Sequence, residues 1–425
     1  MKKLPWLTFS LLLTTLLAAC AELPFNLPQQ AGYETPTAIA VLVQTPTPVE
    51  TTDETETESG PQVLRIWLPP EFDPNAETEA GQILHKRLET FQSRRPDLEL
   101  DIRIKANEGP ASLLNALLTT QKAAPEILPD LVALSRPDLE KAALGGVLHP
   151  IDGLSTLLDD PDWFPYARPL AHIQNSAYGL PFSANLFGLA YRPDPELEDA
   201  PELPTLESLI AQESPIIFPA DNPQAELSFC LYMATGIALL DEQGLPSLSA
   251  NELNSLLTFY ASESISPKSS EIENNEVLWE TFNTYPETAA TVWTSEYFGK
   301  TPADTEIVPI PGLNGGSCAL ASAWSWALAG ASPDLEPAAV ELAEYLSDSA
   351  FLAEWTAALG TLPTRPTALD ENETALHALS LAAQPIPSND IAVFLGEKFR
   401  LGTMSVIRDQ VDPSAAVDEA LIGIQ

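Results

Sequence analysis

The chain has 425 residues, 45% of them hydrophobic and 8% aromatic, enough apolar material for a substantial core and too much for a disordered chain. Its 20 Lys and Arg stand against 60 Asp and Glu, a formal charge of −40, which becomes −42 once Lys2 and Lys3 leave with the leader described next. A surface this acidic repels phosphate backbones and anionic head groups, so no nucleic-acid partner is expected.

Lys2 and Lys3 open an apolar run from Leu4 to Leu17 that is followed by Ala18, Ala19 and Cys20. A basic start, an apolar stretch too short to span a bilayer and small residues before the cut make a secretory signal. Leu17-Ala18-Ala19-Cys20 resembles the lipobox of bacterial lipoproteins. The resemblance implies removal of residues 1–19, acylation of the Cys20 thiol and lipid anchoring at the extracytoplasmic face of the bacterial cell membrane. Residues 20–61 then read as an anchor and tether, rich in Thr, Pro and Glu as in Thr45-Pro46-Thr47-Pro48 and the run Thr51 to Glu58. Ala38 to Val43 interrupts the tether with a short apolar patch.

The folded body opens with the strand-like run Val63 to Leu68, then a helical stripe of Leu84, Leu88 and Phe91. Leu98, Leu100, Ile102 and Ile104 alternate with Glu99, Asp101, Arg103 and Lys105, the period of a half-buried strand. Leu113, Leu114, Leu117 and Leu118 make a second helical stripe, and Leu131-Val132-Ala133-Leu134 is an all-apolar strand. This β-α-β-α-β order predicts a parallel sheet between helices, with ligand beyond the carboxyl ends of the strands, where Trp67 and Ser135 stand.

A helix is expected from Asn251 to Tyr260, with Ser249 and Glu252 as a capping box and Leu253, Leu256, Leu257 and Tyr260 buried. Another begins after Ser332-Pro333 and continues through Phe351, Leu352, Trp355 and Leu359 to the stop at Gly360. The second half of the body is thus richer in helix. Cys230 and Cys318 sit among apolar or small neighbours and read as buried thiols, a disulfide being possible. His85, His149, His172 and His377 lack metal-ligand spacing, so neither metal nor cofactor is expected.

Four motifs follow in order. Tyr178-Gly179-Leu180-Pro181 begins a run that ends at Tyr191-Arg192, and Ala289 to Ser295 is a second strand-like crossing. Val308 to Ser317 holds Pro311-Gly312, and Trp355 to Gly360 leads into Thr361-Leu362-Pro363-Thr364-Arg365. Together they resemble the family 1 extracellular solute-binding proteins, the maltose-binding-like components of ABC importers. The resemblance implies an α/β fold, periplasmic-binding-protein-like type II, in which two α/β lobes joined by a multi-strand hinge enclose a ligand cleft. The lobes here are 62–182 with 290–330 and 183–289 with 331–425. It also implies a monomer that captures a small solute by hinge closure and hands it to a permease. Trp293-Thr294-Ser295-Glu296-Tyr297 departs from the family's frequent glycine-serine-tryptophan order at the return crossing.

Near the implied cleft are Trp67, Trp293, Tyr297, Trp324 and Trp326, with Ser135, Ser183, Asn185, Ser295, Glu296 and Ser317 as polar neighbours. Aromatic faces beside short polar side chains and a carboxylate suit a carbohydrate. The alternation in Trp324-Ser325-Trp326 puts both indoles on one side, core or cleft. Trp355 belongs to a helical core stripe, and Arg365 is either an ion-pair partner or a cleft residue. The acidic balance keeps a cationic or amino-acid-derived solute as the runner-up. Gly315-Gly316-Ser317-Cys318-Ala319 nears a nucleophile elbow, but the last Gly is absent and a turn precedes it where the elbow needs a strand. Carboxylate pairs arise by chance in so acidic a chain and do not argue for a glycosidase, so no enzyme is expected. An adhesion or assembly module would need a large exposed apolar patch.

Overall fold

The structure, a computed structural model, describes residues 61–193, 203–300, 304–330 and 332–424, which fall in one compact unit. The leader, Cys20, the tether up to residue 60 and its Ala38 to Val43 patch lie outside the described residues.

Among the described residues eleven strands share one sheet. They are β1 (Gln62–Leu68), β2 (Leu98–Ile104), β3 (Leu131–Ser135), β4 (Leu180–Tyr191), β5 (Ile216–Ile217) and β6 (Ala289–Trp293). The rest are β7 (Glu306–Val308), β8 (Ile310–Pro311), β9 (Ser317–Leu328), β10 (Leu362–Pro363) and β11 (Ala383–Pro385). Among the helices are α1 (Glu79–Arg94), α2 (Leu113–Ala123), α3 (Arg136–Leu144), α4 (Glu226–Met233) and α5 (Ala250–Tyr260). Further on come α6 (Thr294–Lys300), α7 (Glu336–Tyr345), α8 (Ser349–Leu359) and α9 (Asn389–Ile407).

The main path through the sheet is β2-β1-β3-β9-β4-β6-β5. β1 lies parallel to β2 and β3, as the β-α-β-α-β alternation requires, with α1 and α2 as the crossovers. Leu84, Leu88 and Phe91 of α1 and Leu113 and Leu117 of α2 are buried. β2 is an edge strand, so its alternation fades: Leu98 is buried while Ile104 is 37% exposed.

β4 and β9 run antiparallel through the middle, and each belongs to two neighbourhoods. The start of β4 pairs with the end of β9 and with β10, and its end pairs with β6 and β7. The end of β9 also pairs with β3, and its start with β8 and β11. Aromatic cores lie on both sides of this handover. On the β1 to β3 side, Phe182 stacks on Trp326 at 4.4 Å and on Trp355 at 5.3 Å, with Phe72 edge-on to Phe182 at 5.2 Å. On the other side Phe229, Tyr232 and Phe399 gather α4 and α9. Each buried ring contributes roughly 3 kcal/mol of transfer free energy.

Three local expectations change. The helix after Ser332-Pro333 is two helices, α7 and α8, because Asp348 turns the chain and accepts the Phe351 N–H at 3.1 Å as the cap of α8. Gly360 does stop α8, in the left-handed region at φ +67°. Ser249 and Glu252 do not form a capping box: the Ser249 hydroxyl goes to the Glu252 carboxylate, and the Ser249 N–H that Glu252 would have capped donates to the Tyr232 hydroxyl at 2.6 Å. Cys230 and Cys318 are a disulfide and not two thiols, because α4 packs against the start of β9 and brings their Cα atoms to 5.7 Å.

Candidate functional site

Asn185 on β4 and Ser322 on β9 stand opposite each other in register and are the partly exposed polar residues of two otherwise buried stretches. With Leu320, and Trp293 at the end of β6, they floor a cavity of about 810 Å³. Pro137 and Lys141 of α3 form one wall; Gln224, Glu226 and the start of α9 form the other. The α3 wall touches the α9 wall through Asn389, whose N–H donates to Glu140 at 3.0 Å and whose amide donates to the Pro137 carbonyl at 2.9 Å.

Neighbours fix each group on the floor. The Asn185 carbonyl oxygen accepts the Thr294 hydroxyl at 3.1 Å and the Ser295 N–H at 3.0 Å, which leaves its amide N–H groups as donors. Glu226 begins α4 directly after Ala225, which is held in the left-handed region at φ 47°, a costly conformation for a residue with a Cβ. Asn222 supports that turn, accepting the Ala225 N–H with its carbonyl and the Gln224 N–H with its side chain. The turn also lies against α9 so closely that a Cβ on Gly396 would collide with the Pro223 carbonyl.

The Glu226 carboxylate accepts the Asn222 amide at 3.0 Å and bonds to the Trp293 indole, and it has no ion-pair partner among the described residues. Burial pushes its carboxyl above the ordinary glutamate value, and its own backbone N–H, Trp293 and Asn222 pull the other way. Lys141 is drawn toward Asp138 at 3.8 Å, and Arg400 pairs with Glu397 at 2.8 Å and with Asp221. One turn after Glu226 comes Cys230, and two residues after Cys318 comes Leu320, so the disulfide joins the wall to the floor.

Of the residues singled out in the sequence, Asn185 and Trp293 meet at this cavity. Ser295 is exposed and reaches it only through its N–H to Asn185. Glu296 lines a smaller hollow behind Trp293 and pairs with Lys300 at 3.2 Å. Tyr297 donates to the Thr305 carbonyl at 2.7 Å and lines a separate hollow. Trp67 is buried under Lys105, whose ammonium sits 4.3 Å from the ring. Ser135 precedes α3 and pairs in register with Trp324, which packs edge-on to Phe72 at 5.2 Å. Ser183 is buried and donates to the Thr361 hydroxyl at 2.9 Å, and Trp326 lies within the aromatic core. Ser317 sits exposed at the start of β9 in the hairpin with β8, not in a strand-to-helix elbow. Arg365 is an ion-pair partner, 2.7 Å from Asp160 and 3.2 Å from Asp162.

Glu226, Gln224, Ser322 and Asn389 escaped the sequence reading. Ser322 alone had a signal there, since it shares the strand parity of Trp324 and Trp326.

A mixed α/β sheet whose longest strands run between two cores, with a polar and aromatic cavity at the crossing, defines the class as periplasmic-binding-protein-like. Residues 86–380 match the family described as bacterial extracellular solute-binding protein, and the chain belongs to that family. The family's place is extracytoplasmic. Among solved structures the chain is similar to the sugar-binding protein MalE from the phytopathogen Xanthomonas citri, at 22% identity, covering 84% of this chain and 95% of that one with a TM-score of 0.68. It is also similar to the extracellular solute-binding protein from Staphylococcus aureus in complex with maltose, at 15% identity over 86% and 97% of the two chains, TM-score 0.67. The maltose-binding periplasmic protein MalE from Listeria monocytogenes, also with maltose, shares 14% identity over 85% and 97%, TM-score 0.66. At such identities the likeness is one of fold. No curated protein sequence matches the chain.

Proposed function

We propose that this chain captures a small carbohydrate outside the cell and delivers it to the permease of an ABC importer. The observation that carries the reading is the make-up of the large cavity: an indole, a carboxamide with free N–H donors, a hydroxyl and a carboxyl held above its ordinary value. A pyranose offers an apolar face to the indole and hydroxyls that donate to the carboxylate and accept from the amide. The maltose complexes formed by proteins of the same fold support it.

A cationic solute is the second reading, favoured by the acidic composition and by Glu226. Against it stand the Asn185 donors and a carboxyl whose charge is already disfavoured by burial. Capture proceeds by closure, about the central strands, of a lobe built on β1 to β3 with α7 and α8 packed on it and a lobe built on α4, α5 and α9. Cys20 carries the lipid that holds the monomer near its permease, and the chain is a binder, not an enzyme.

The test is a thermal-shift panel of D-glucose, D-galactose, D-xylose, maltose and maltotriose against putrescine and spermidine. Ligand at a hundredfold its Kd stabilises by about 2.7 kcal/mol, a shift of several degrees. Sugars are expected to raise the melting temperature and polyamines to leave it unchanged; the reverse pattern removes the carbohydrate reading.

A further inference from the structure

The two walls of the large cavity grow from neighbouring roots. α3 begins directly after β3 and α9 shortly after β11, and both strands pair with β9. α3 packs through Leu139 and Ala142 onto the core that holds Val132 and Leu134 of β3, whereas α9 packs through Leu395 and Phe399 into the core that holds α4. Beyond the roots the walls carry Lys141 on one side and Val393 and Glu397 on the other. At the roots Glu140 and Arg136 of α3 are 5% and 8% exposed, with Arg136 Nη1 3.1 Å from Glu140 Oε2. The other carboxylate oxygen, Oε1, accepts the Asn389 N–H, and the Asn389 amide donates to the Pro137 carbonyl. Asn389 is the first residue of α9, whose N-cap, Ser388, makes no side-chain cap bond. The anion that the positive end of α9 favours therefore comes from α3, a helix of the other core. A buried carboxylate is tolerated when it is paired and hydrogen-bonded, and Glu140 meets the two conditions from two sides, by Arg136 on its own helix and by the Asn389 N–H on the opposite wall.

We propose that Glu140, charge-balanced by Arg136, is a rein on the hinge: by capping α9 from α3 it ties the roots of the two walls and bounds how far the cavity opens. The proposal rests on the closure reading above and adds the group that sets the open position. With the roots tied, only the outer ends around Lys141 and Val393 swing apart, and the walls stay near the gap a solute has to bridge. The affinity seen in solution is the intrinsic affinity scaled by the fraction of molecules already competent to bind, so a wider resting state binds more weakly with no solute contact changed. Glu140 is not among the residues that line the cavity, so it acts as a positioning residue, through Asn389 and α9.

Two variants of the exported chain cut the rein from opposite sides. Asn389→Pro removes both donors; proline suits the first position of a helix, and Ser388 before it, at φ −56° and ψ 152°, already holds the extended conformation that a following proline demands. Arg136→Met with Glu140→Leu removes the acceptor and its counter-charge together, and a fold tolerates apolar side chains in place of a buried ion pair. Nitroxide labels on Leu144→Cys and Leu401→Cys, exposed positions of α3 and α9, report the separation of the walls by pulsed electron spin resonance. Without sugar the parent is expected to show one narrow distance and each variant a longer, broader distribution. Saturating maltose or D-glucose, whichever binds in calorimetric titration, is expected to draw all three chains to one shorter distance. Each variant is expected to bind that sugar on the order of tenfold more weakly, the lower end of what a hydrogen bond to a charged group contributes. Equal sugar-free distances in the three chains overturn the rein. A parent distance that bound sugar leaves unchanged overturns the closure reading instead, while wider variants still show the roots to be tied by Glu140. Binding of neither sugar counts against the carbohydrate reading, and the sugar-free distances then decide the rein alone. Should one variant lose its cooperative melt, the other, cut from the opposite wall, decides.

Discussion

At Glu226 burial competes with hydrogen bonds from Trp293 and Asn222 for one carboxyl, and burial wins, so the native state keeps the proton to higher pH than the unfolded chain does. The native state then binds more protons, and the stability this group contributes in acid is lost as pH rises from the ordinary glutamate value of about 4.3 through the raised native one. Glu226→Gln should flatten the fall in melting temperature over that window and raise it at neutral pH; identical pH profiles for the two chains would contradict the assignment. Arg365 makes the opposite case, a charge fully paired: its guanidinium bonds Asp160 and Asp162, donates to the Ser347 carbonyl at 3.3 Å and stacks on Trp163 at 4.7 Å. Arg365→Ala should cost about 3 kcal/mol, read by chemical denaturation, because Asp162 loses its ion pair and keeps only the Ser349 hydroxyl and the Thr367 N–H and hydroxyl. A loss below 1 kcal/mol would mean the network is solvated. At this scale the sequence was a poor guide. Nothing marks Glu226 among 60 acidic residues, and the Pro223-Gln224-Ala225 turn that aims it shows no glycine at the left-handed position. Asn185 and Trp293 were legible because each lies in a motif; Trp67 and Trp326 belong to motifs or strand ends too, yet strand parity alone does not say which side is core.

Strands and helices were easier to read where one period dominates. β1, β2, β3, α1 and α2 follow directly from alternation and apolar stripes, and Gly360 ends α8 as its backbone demands. The single long helix after Ser332-Pro333 was misread because its apolar spacing carries across the break, and only the side chain of Asp348 as a cap reveals two helices. The capping box failed for a tertiary reason, since Tyr232 comes from another helix to take the Ser249 N–H. The disulfide is likewise a product of packing between α4 and β9, 88 residues apart. It clamps the helix that begins with Glu226 to the strand that carries Leu320 and Ser322. Replacing Cys230 and Cys318 by Ala together should lower stability by about 2–4 kcal/mol and weaken sugar binding, measured by denaturant melts and titration of the same preparation. Unchanged affinity with lowered stability would show that the clamp serves the core alone.

For the whole molecule, the core that holds β1 to β3 and the core that holds α4 and α9 both reach onto the central strands β4 and β9, and the closure proposed above is a rotation about those strands. Small-angle scattering should therefore show a smaller radius of gyration with saturating sugar than without; an unchanged radius would argue for a rigid cavity. The bond between Asn389 and Glu140 is where α3 meets α9. The class of fold was legible because the four motifs keep their order along the chain, whereas the ligand was not, because the cavity is assembled from α3, β4, β6, β9, α4 and α9 together. The most direct test of the account is a crystal structure of the chain grown with the sugar that raises its melting temperature most. Sugar density is predicted between α3 and α4, with hydroxyls within hydrogen-bond distance of Asn185 and Glu226 and a ring face against Trp293. Density at any other surface, with those three side chains untouched, would contradict it.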